Sequence, residues 1–312
     1  MRRDLLAVST AAAFACLLLT ACGTQHAGAR PHATSADAPS CTTPTAPTAA
    51  AGPGTSAAQP KAPSPQVPSP RAADAVRLTG AAGCPVFEVT NTTGATATFT
   101  ITYQLLSDSG AALSSSRQTV PSVAPGRTVR RAVEAGRGAG DPGGRPRVRI
   151  IKVRSVPTAQ APSMGGPCPP SGVHLYADDG DAAMGLRVVG LHVRNCGTGT
   201  YTLDGYPQLR LFDEDHQAVG TVRIVHGGDA VATGTGADGP PRPLVLGPGQ
   251  GAHAELVWRN TTGLGSDLVN APYVQVVPKP GTAAVMVTPE LDLGTTGKLA
   301  VGPWQSEAAN GR

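Results

Sequence analysis

Residues 98–105 are Thr-Phe-Thr-Ile-Thr-Tyr-Gln-Leu, in which large apolar side chains alternate with Thr or Gln. Successive side chains of an extended strand point to opposite faces, so this alternation predicts a β-strand with one buried face. Residues 84–89 and 147–153 are strand-like in the same way. Turn-forming residues separate these runs, at 91–94, 107–110 and 124–126. We therefore expect a first small β-sandwich domain over residues 73–157.

A second set of strand-like runs lies within residues 168–304. The runs are short, rich in apolar and β-branched residues and separated by Gly and Pro, at 185–194, 208–212, 221–225, 252–258, 273–277, 284–287 and 298–301. No segment of either domain has a helical period with capping residues. Short strands joined by such turns predict an all-β fold of two antiparallel β-sandwich (Ig-like) domains.

The two predicted domains share a spacing of turn residues. The landmarks are Asn91 with Gly94, Asp108 and Pro125-Gly126 in the first, and Asn195 with Gly197, Asp213 and Pro248-Gly249 in the second. We expect two sandwiches of similar architecture, for which gene duplication and convergent turn chemistry are alternative explanations.

The start of the chain predicts export. Met-Arg-Arg precedes a short apolar run that ends in Leu19-Thr20-Ala21-Cys22. A basic start, an apolar stretch of secretory length and small residues before a cysteine predict a signal peptide over residues 1–21. Cys22 resembles the cysteine of a bacterial lipobox, which is lipidated and becomes the first residue of the mature protein. The resemblance implies a lipid-anchored protein on the extracytoplasmic face of the cell membrane, reached by the general secretory or the twin-arginine route.

Residues 22–72 are a low-complexity segment of Ala, Pro, Thr, Ser and Gly. Such a segment has almost nothing to bury, so we expect a disordered tether with polyproline II character between the anchor and the first domain. Residues 305–312 are expected to be a short disordered tail.

Four cysteines remain once Cys16 is lost with the signal peptide and Cys22 carries lipid. An even number in an oxidising compartment predicts disulfides, and four cysteines allow three connectivities. Cys168 and Cys196 belong to the same predicted domain, so we expect them to pair. Cys41 and Cys84 are then the remaining possible pair.

The formal net charge of the 312-residue chain is +4, which gives no reason to expect a nucleic-acid partner. One local feature is basic: Arg145, Arg147 and Arg149 alternate along a predicted strand. They either meet anionic lipid headgroups or wall polymers, or they form a solvated face that protects a sheet edge.

The second segment resembles the actinobacterial lipoprotein domain of unknown function 4232 (DUF4232). The resemblance covers the C-terminal half of the chain and is carried by Cys168 and by residues 185–187, 193–196, 201–207, 246–254 and 257–260. It implies an exported, often lipid-anchored β-sandwich without an established activity. Residues 205–207, Gly-Tyr-Pro, are expected to form a structural corner rather than a ligand platform.

Several sequence patterns resemble sites of chemistry. Residues 234–239 match the residue pattern of a dinucleotide-binding fingerprint. Pro240-Pro241 cannot begin the helix that such a site requires, so we expect a loop. Residues 178–181 are acidic but lack the spacing of an EF-hand, which favours a turn. The histidines of the second segment have no metal-ligand spacing in sequence and are expected to be scattered; they are His174, His192, His216, His226 and His253.

These observations predict a non-catalytic lipoprotein without a cofactor, which binds an envelope protein or a cell-wall polymer. One alternative is a metal-dependent extracytoplasmic enzyme that uses the His and Asp groups of the second segment. A purely structural envelope protein is the other.

Overall fold

The computed structural model describes residues 72–80, 84–134, 147–263 and 267–307. Within these ranges the chain forms twenty β-strands and two short 3₁₀ turns, Ala72–Ala75 and Thr158–Gln160. The predicted all-β fold class is confirmed. Outside the described residues lie the predicted signal peptide, Cys22, Cys41 and nearly all of the tether. Within the described residues, no helix is long and apolar enough to cross a membrane.

The first domain is a sandwich of two three-stranded antiparallel sheets, with strand orders β1-β2-β5 and β4-β3-β6. Its strands are β1 (Val76–Thr79), β2 (Val86–Thr90), β3 (Ala97–Leu106), β4 (Ala112–Val123), β5 (Thr128–Ala132) and β6 (Arg147–Pro157). Alternate residues of β3 face the core, as the sequence predicts, and the rings of Phe87 and Tyr103 meet edge to face with centroids 5.2 Å apart. Burying each large apolar side chain here contributes about 1.5–3 kcal/mol.

The second domain contains the remaining fourteen strands. They are β7 (Val173–Ala177), β8 (Asp181–Ala183), β9 (Leu186–Asn195), β10 (Tyr201–Leu203), β11 (Gln208–Phe212), β12 (Arg223–His226), β13 (Leu244–Leu246), β14 (Gly251–Arg259), β15 (Val269–Ala271), β16 (Tyr273–Val277), β17 (Val285–Val287), β18 (Leu291–Gly294), β19 (Lys298–Val301) and β20 (Gln305–Ser306).

One seven-stranded sheet forms a face of the second domain, in the order β12-β19-β14-β9-β7 with β20 beside β14 and β8 beside β9. The smaller sheet β11-β16-β17 and the pairs β10-β13 and β15-β18 share one apolar core with it. Trp258 and Trp304 lie in this core, and the indole Nε1 of Trp304 donates to the Pro278 carbonyl at 2.9 Å.

Two details of the second domain differ from the sequence prediction. β12 pairs with β19 in parallel, although every strand pair was expected to be antiparallel. The sequence predicts a disordered tail over residues 305–312, but Gln305–Ser306 form β20, which pairs with β14. Gln305 and Ser306 add backbone hydrogen bonds at an edge of the sheet, a gain that side-chain hydrophobicity does not reveal.

The turn spacing that the two domains share in sequence corresponds to a buried asparagine in each domain, and we call its surroundings the asparagine corner. Asn91 follows β2 and is fully buried; its Nδ2 donates to the carbonyls of Ala95 at 2.8 Å and Val123 at 2.7 Å. Its Oδ1 accepts from the Thr93 backbone N–H at 2.9 Å, and its own carbonyl accepts from the Gly126 N–H at 2.8 Å. Asn91 therefore joins the end of β2 to the turn that follows β4.

Asn195 repeats these contacts, and its two nearby partners lie at the same sequence offsets as those of Asn91. Its Nδ2 donates to the carbonyls of Gly199 at 2.8 Å and Leu246 at 2.9 Å. Its Oδ1 accepts from the Gly197 N–H at 3.0 Å, and its carbonyl accepts from the Gly249 N–H at 2.7 Å. The pairings β1·β2, β2·β5, β3·β4 and β3·β6 have counterparts in β7·β9, β9·β14, β10·β13 and β11·β16. The two domains thus share one core topology, which the second extends with further strands.

Cys168 and Cys196 form a disulfide with their Cα atoms 5.6 Å apart, as the sequence predicts. The bond joins the segment before β7 to the segment after β9. Cys84 is also disulfide-bonded, whereas Cys41, its predicted partner, lies outside the described residues.

Candidate functional site

The two domains meet where β6 of the first lies against the loop that precedes β18 of the second. Arg154 forms a two-point ion pair with Glu290, Nε to Oε1 and Nη2 to Oε2, both at 2.7 Å. Only 15% of the Arg154 side chain is exposed, and Lys152 adds a further contact to Glu290 at 3.1 Å. Glu290 has a left-handed backbone with φ of 59°, which costs about 1–3 kcal/mol and persists here because two cations hold its carboxylate.

An apolar cluster of Val156, Tyr273 and Met286 completes the junction. The Tyr273 hydroxyl accepts from the Ser155 backbone N–H at 3.4 Å, so the ring spans the two domains. His216 stacks on the same ring at 4.1 Å between centroids, and burial lowers the pKa of His216. Because ionic and apolar contacts both cross the junction, the two domains form one packed unit rather than two independent domains.

A cleft of about 310 Å³ lies beside this junction. Thr100, Arg117 and Thr119 line it from the first domain, and Tyr176, Asp178 and Asp179 line it from the second. Arg117 and Asp179 form an ion pair at 2.9 Å, but both side chains are largely exposed. Such a pair contributes less than about 1 kcal/mol, so it constrains the cleft weakly.

His192 of β9 supports the wall of the cleft that belongs to the second domain. The Tyr176 ring stacks on its imidazole with centroids 4.9 Å apart. Its Nδ1 lies 2.7 Å from Glu307 Oε1, and its Nε2 lies 3.1 Å from Asp178 Oδ2. Each carboxylate needs a proton from the ring, so this geometry selects the doubly protonated imidazolium.

The pKa of His192 reflects two opposed effects. Burial alone would lower it, but the hydrogen bonds to Glu307 and Asp178 outweigh burial and raise the pKa above the usual 6.5. Both ring nitrogens are therefore occupied, and neither can serve as a general base unless a carboxylate first leaves.

Gly190 makes this arrangement possible. A Cβ at position 190 would lie 2.5 Å from Asp178 Oδ2 and 2.8 Å from His192 Nε2, closer than atoms can approach. Asp178 also accepts from the N–H groups of Gly180 and Gly190, at 3.0 and 2.9 Å. The glycine thus admits the Asp178 carboxylate to the sheet surface, where it reaches both the cleft and His192.

His253 and Glu255 of β14 continue the polar surface next to His192. His253 lies directly opposite His192 in the strand register, with the ring centroids 6.4 Å apart. Burial and the neighbouring His192 lower the pKa of His253, whereas burial and Asp178 raise the pKa of Glu255. Both shifts are in the direction that favours the neutral form of the side chain.

The remaining histidines of the sequence prediction lie apart from this surface. His174 is buried and bonds through Nδ1 to Ser163 Oγ at 2.9 Å, and His226 stacks on Tyr206 at 4.1 Å. In the ranges that the structure describes, no group of three or more His, Cys, Asp or Glu side chains is arranged to hold a metal ion.

The other sequence motifs occupy turns and loops. Asp178 and Gly180 form the expected acidic turn, and residues 234–239 form a loop without a helix. Gly205 has a φ of 74° and accepts through its carbonyl from the Trp304 N–H at 3.0 Å, as a structural corner would.

A hydrogen-bond network around the Asp292 carboxylate explains the motif at residues 257–260. Asp292 Oδ1 accepts from the Trp258 indole at 3.0 Å, and its Oδ2 accepts from Asn260 Nδ2 at 2.7 Å and Arg187 Nη2 at 3.1 Å. Trp258 and Asn260 both belong to the motif at 257–260, so that motif fixes β14 to β18. Its role in this chain is structural.

Residues 168–305 match the family model described as Domain of unknown function (DUF4232). The DUF4232 segment is less than half of the chain. It begins at Cys168 and ends within β20, and it contains Tyr176, His192 and Glu255. The cleft lies between the DUF4232 segment and the first domain, which no part of that match covers. No curated protein matches the chain.

Sequence reasoning missed the association of His192 with His253. Each lies in a strand that was predicted, but their proximity follows from the antiparallel register of β9 and β14, which local periodicity does not specify. Arg154 and Glu290 are 136 positions apart, and no sequence signal connects them.

Proposed function

We propose that this chain is an exported, lipid-anchored and non-catalytic envelope protein that binds a cell-wall polymer or an envelope protein in the cleft between its two domains. The start of the sequence supports export and anchoring, through the predicted signal peptide at 1–21 and the lipobox-like Cys22. The DUF4232 segment agrees with this setting, because the resemblance implies exported and often lipid-anchored proteins.

The observation that carries the binding proposal is the cleft itself. Its two walls come from different domains that Arg154, Glu290 and Tyr273 hold together, so the cavity is preformed. A preformed cleft reduces the ordering cost of binding. Its lining combines the Tyr176 ring with carboxylates, an arginine and threonine hydroxyls, a mixture suited to a polar ligand with some apolar surface.

The non-catalytic part of the proposal rests on how the titratable groups are occupied. His192 is held by two carboxylates, His174 by Ser163, and His216 by the Tyr273 ring. A histidine that acts as a general base needs a free ring nitrogen close to a nucleophile or to a bound water. Turnover in a hydrolase screen, or stoichiometric zinc, copper or calcium in the purified full chain, would favour the metal-dependent enzyme instead.

The binding test compares two tryptophan variants of the full chain. Thr119 and Ser115 are both exposed residues of β4, but only Thr119 lines the cleft. We expect Thr119→Trp to fill the cleft and to weaken binding to fractionated wall polymers or extracted envelope proteins by tenfold or more in titration calorimetry. Ser115→Trp should bind as the parent does. Equal binding by both variants would exclude the cleft as the ligand site.

A further inference from the structure

The outward face of the sheet β4-β3-β6 in the first domain is basic. We call it the basic face and define it by Arg147, Arg149, Lys152 and Arg154 of β6, with Thr102 and Gln104 of β3 and Arg117 of β4. The strand register places Gln104 opposite Arg149 and Thr102 opposite Lys152. The amide and hydroxyl of β3 therefore lie beside the cations.

The alternation of inward and outward side chains along β6 places its cations on the basic face. Val148, Ile150 and Val153 face the core, so the residues between them face outward. A register shift between Thr102 and Tyr103 returns Lys152 and Arg154 to the same face as Arg147 and Arg149. Outward side chains two residues apart on a strand are about 6.6–6.8 Å apart, so Arg147 and Arg149 form one evenly spaced pair and Lys152 and Arg154 form another. The exposed Ile151 lies at the register shift between the two pairs.

Charge is divided unequally between the domains. The described residues within 72–157 include nine Arg or Lys and four Asp or Glu, whereas those within 158–307 include eight and fourteen. The mild net charge of the whole chain therefore conceals a basic first domain and an acidic second one. A basic domain of this kind attracts polyanions.

The second domain neutralises three of the five cations of the basic face. Lys152 and Arg154 pair with Glu290, and Arg117 pairs with Asp179. Arg147 and Arg149 are exposed and form no ion pair with any described residue. The end of the face far from the second domain therefore has two arginines whose donors are available to a ligand.

We propose that the basic face binds a linear phosphate-linked polymer of the cell wall along β6. Guanidinium groups bind phosphate oxygens in a two-point geometry, and β6 presents Arg147 and Arg149 two residues apart on one face to an extended chain. The acidic loops of Asp179 and Glu290 stand at one end of the face and hinder a flat membrane, whereas a narrow polymer can lie along the strand. The polymer class rests on the export in the proposed function. The basic face shares Arg117 with the cleft, but its unpaired arginines, Arg147 and Arg149, do not line the cleft.

The test measures binding of the full chain in detergent micelles to short-chain inorganic polyphosphate and to poly(glycerol phosphate). Arg147→Gln with Arg149→Gln should weaken both affinities about 10- to 30-fold and lower the slope of log Kd against log salt by about 1 to 2. The matched control is Arg77→Gln with Arg127→Gln, which removes the same charge from exposed positions outside the face and should change affinity less than threefold.

Four results would overturn the proposal. They are no binding of either phosphate polymer at low salt, equal losses in the two double variants, equally tight binding of polyglutamate, and tighter binding to vesicles rich in phosphatidylglycerol than to the polymers. If the arginines only protect the edge of β6, the first variant will self-associate and keep its polymer affinity, which also refutes the site. Thr119→Trp should leave polyphosphate binding intact. Failure of the proposal for the cleft can therefore be distinguished from failure of the proposal for the basic face.

Discussion

The asparagine corners yield a prediction whose size follows from the structure. Asn195 is 2% exposed, and its side chain makes three hydrogen bonds, to the carbonyls of Gly199 and Leu246 and from the N–H of Gly197. Asn195→Ala removes all three and leaves buried backbone groups without partners. A net value of about 1 kcal/mol for each of the three bonds, with about 1–3 kcal/mol for an orphaned buried group, predicts a total loss of about 4–6 kcal/mol.

The same reasoning applies to Asn91→Ala, because the fully buried Asn91 bonds to the carbonyls of Ala95 and Val123. We expect the two substitutions to destabilise their own domains by amounts that agree within about 1 kcal/mol, since the contacts are equivalent. A loss of this size lowers the melting temperature by about 10–20 °C if the two domains unfold as one unit.

Urea denaturation of the full chain, followed by circular dichroism, measures both losses. Asn270→Ala is the control, because Asn270 is an exposed residue of β15 and its loss should change stability by less than about 0.5 kcal/mol. If both corner variants lose less than about 1 kcal/mol, the corners do not hold the strands as described and the common architecture has no energetic role.

The remaining predictions concern the disulfide, the domain junction and the histidine. Cys168→Ser should lower the free energy of unfolding by about 2–5 kcal/mol, and an unchanged denaturation curve would contradict that. Arg154→Met keeps the packing of the side chain but leaves the carboxylate of Glu290 poorly paired, so calorimetry should show one cooperative transition splitting into two; a single unshifted transition would refute the coupling. His192 has a raised pKa, so its ion pairs stabilise the fold fully below pH 6.5 and lose that contribution as pH rises through the folded-state value. His192→Gln should flatten this pH dependence, and an unchanged profile would assign the dependence elsewhere.

Local pattern predicts much of the fold. β11, β16 and β19 have the bounds that their apolar runs indicate, because each lies between clear turn residues. β10 and β13 escape prediction because three-residue strands carry too little periodicity to recognise. β20 is missed for a different reason, since its stability depends on backbone pairing with β14.

The candidate site is harder to predict, because it depends on contacts between distant segments. Asp178 is recognisable only as a member of an acidic turn, although it reaches both His192 and the cleft. Gly190 resembles an ordinary strand glycine until the carboxylate beside it is placed. The cleft requires knowledge of how β6 meets Glu290, which no local signal supplies.

The central claim is an extracytoplasmic binding protein held at the membrane by Cys22. The most direct measurement is the intact mass of the N-terminal peptide of the protein isolated from membranes. The account predicts a peptide that begins at Cys22 and carries a thioether-linked diacylglyceryl group. An unmodified thiol at that position, or a full-length chain recovered from the cytosol, would contradict it.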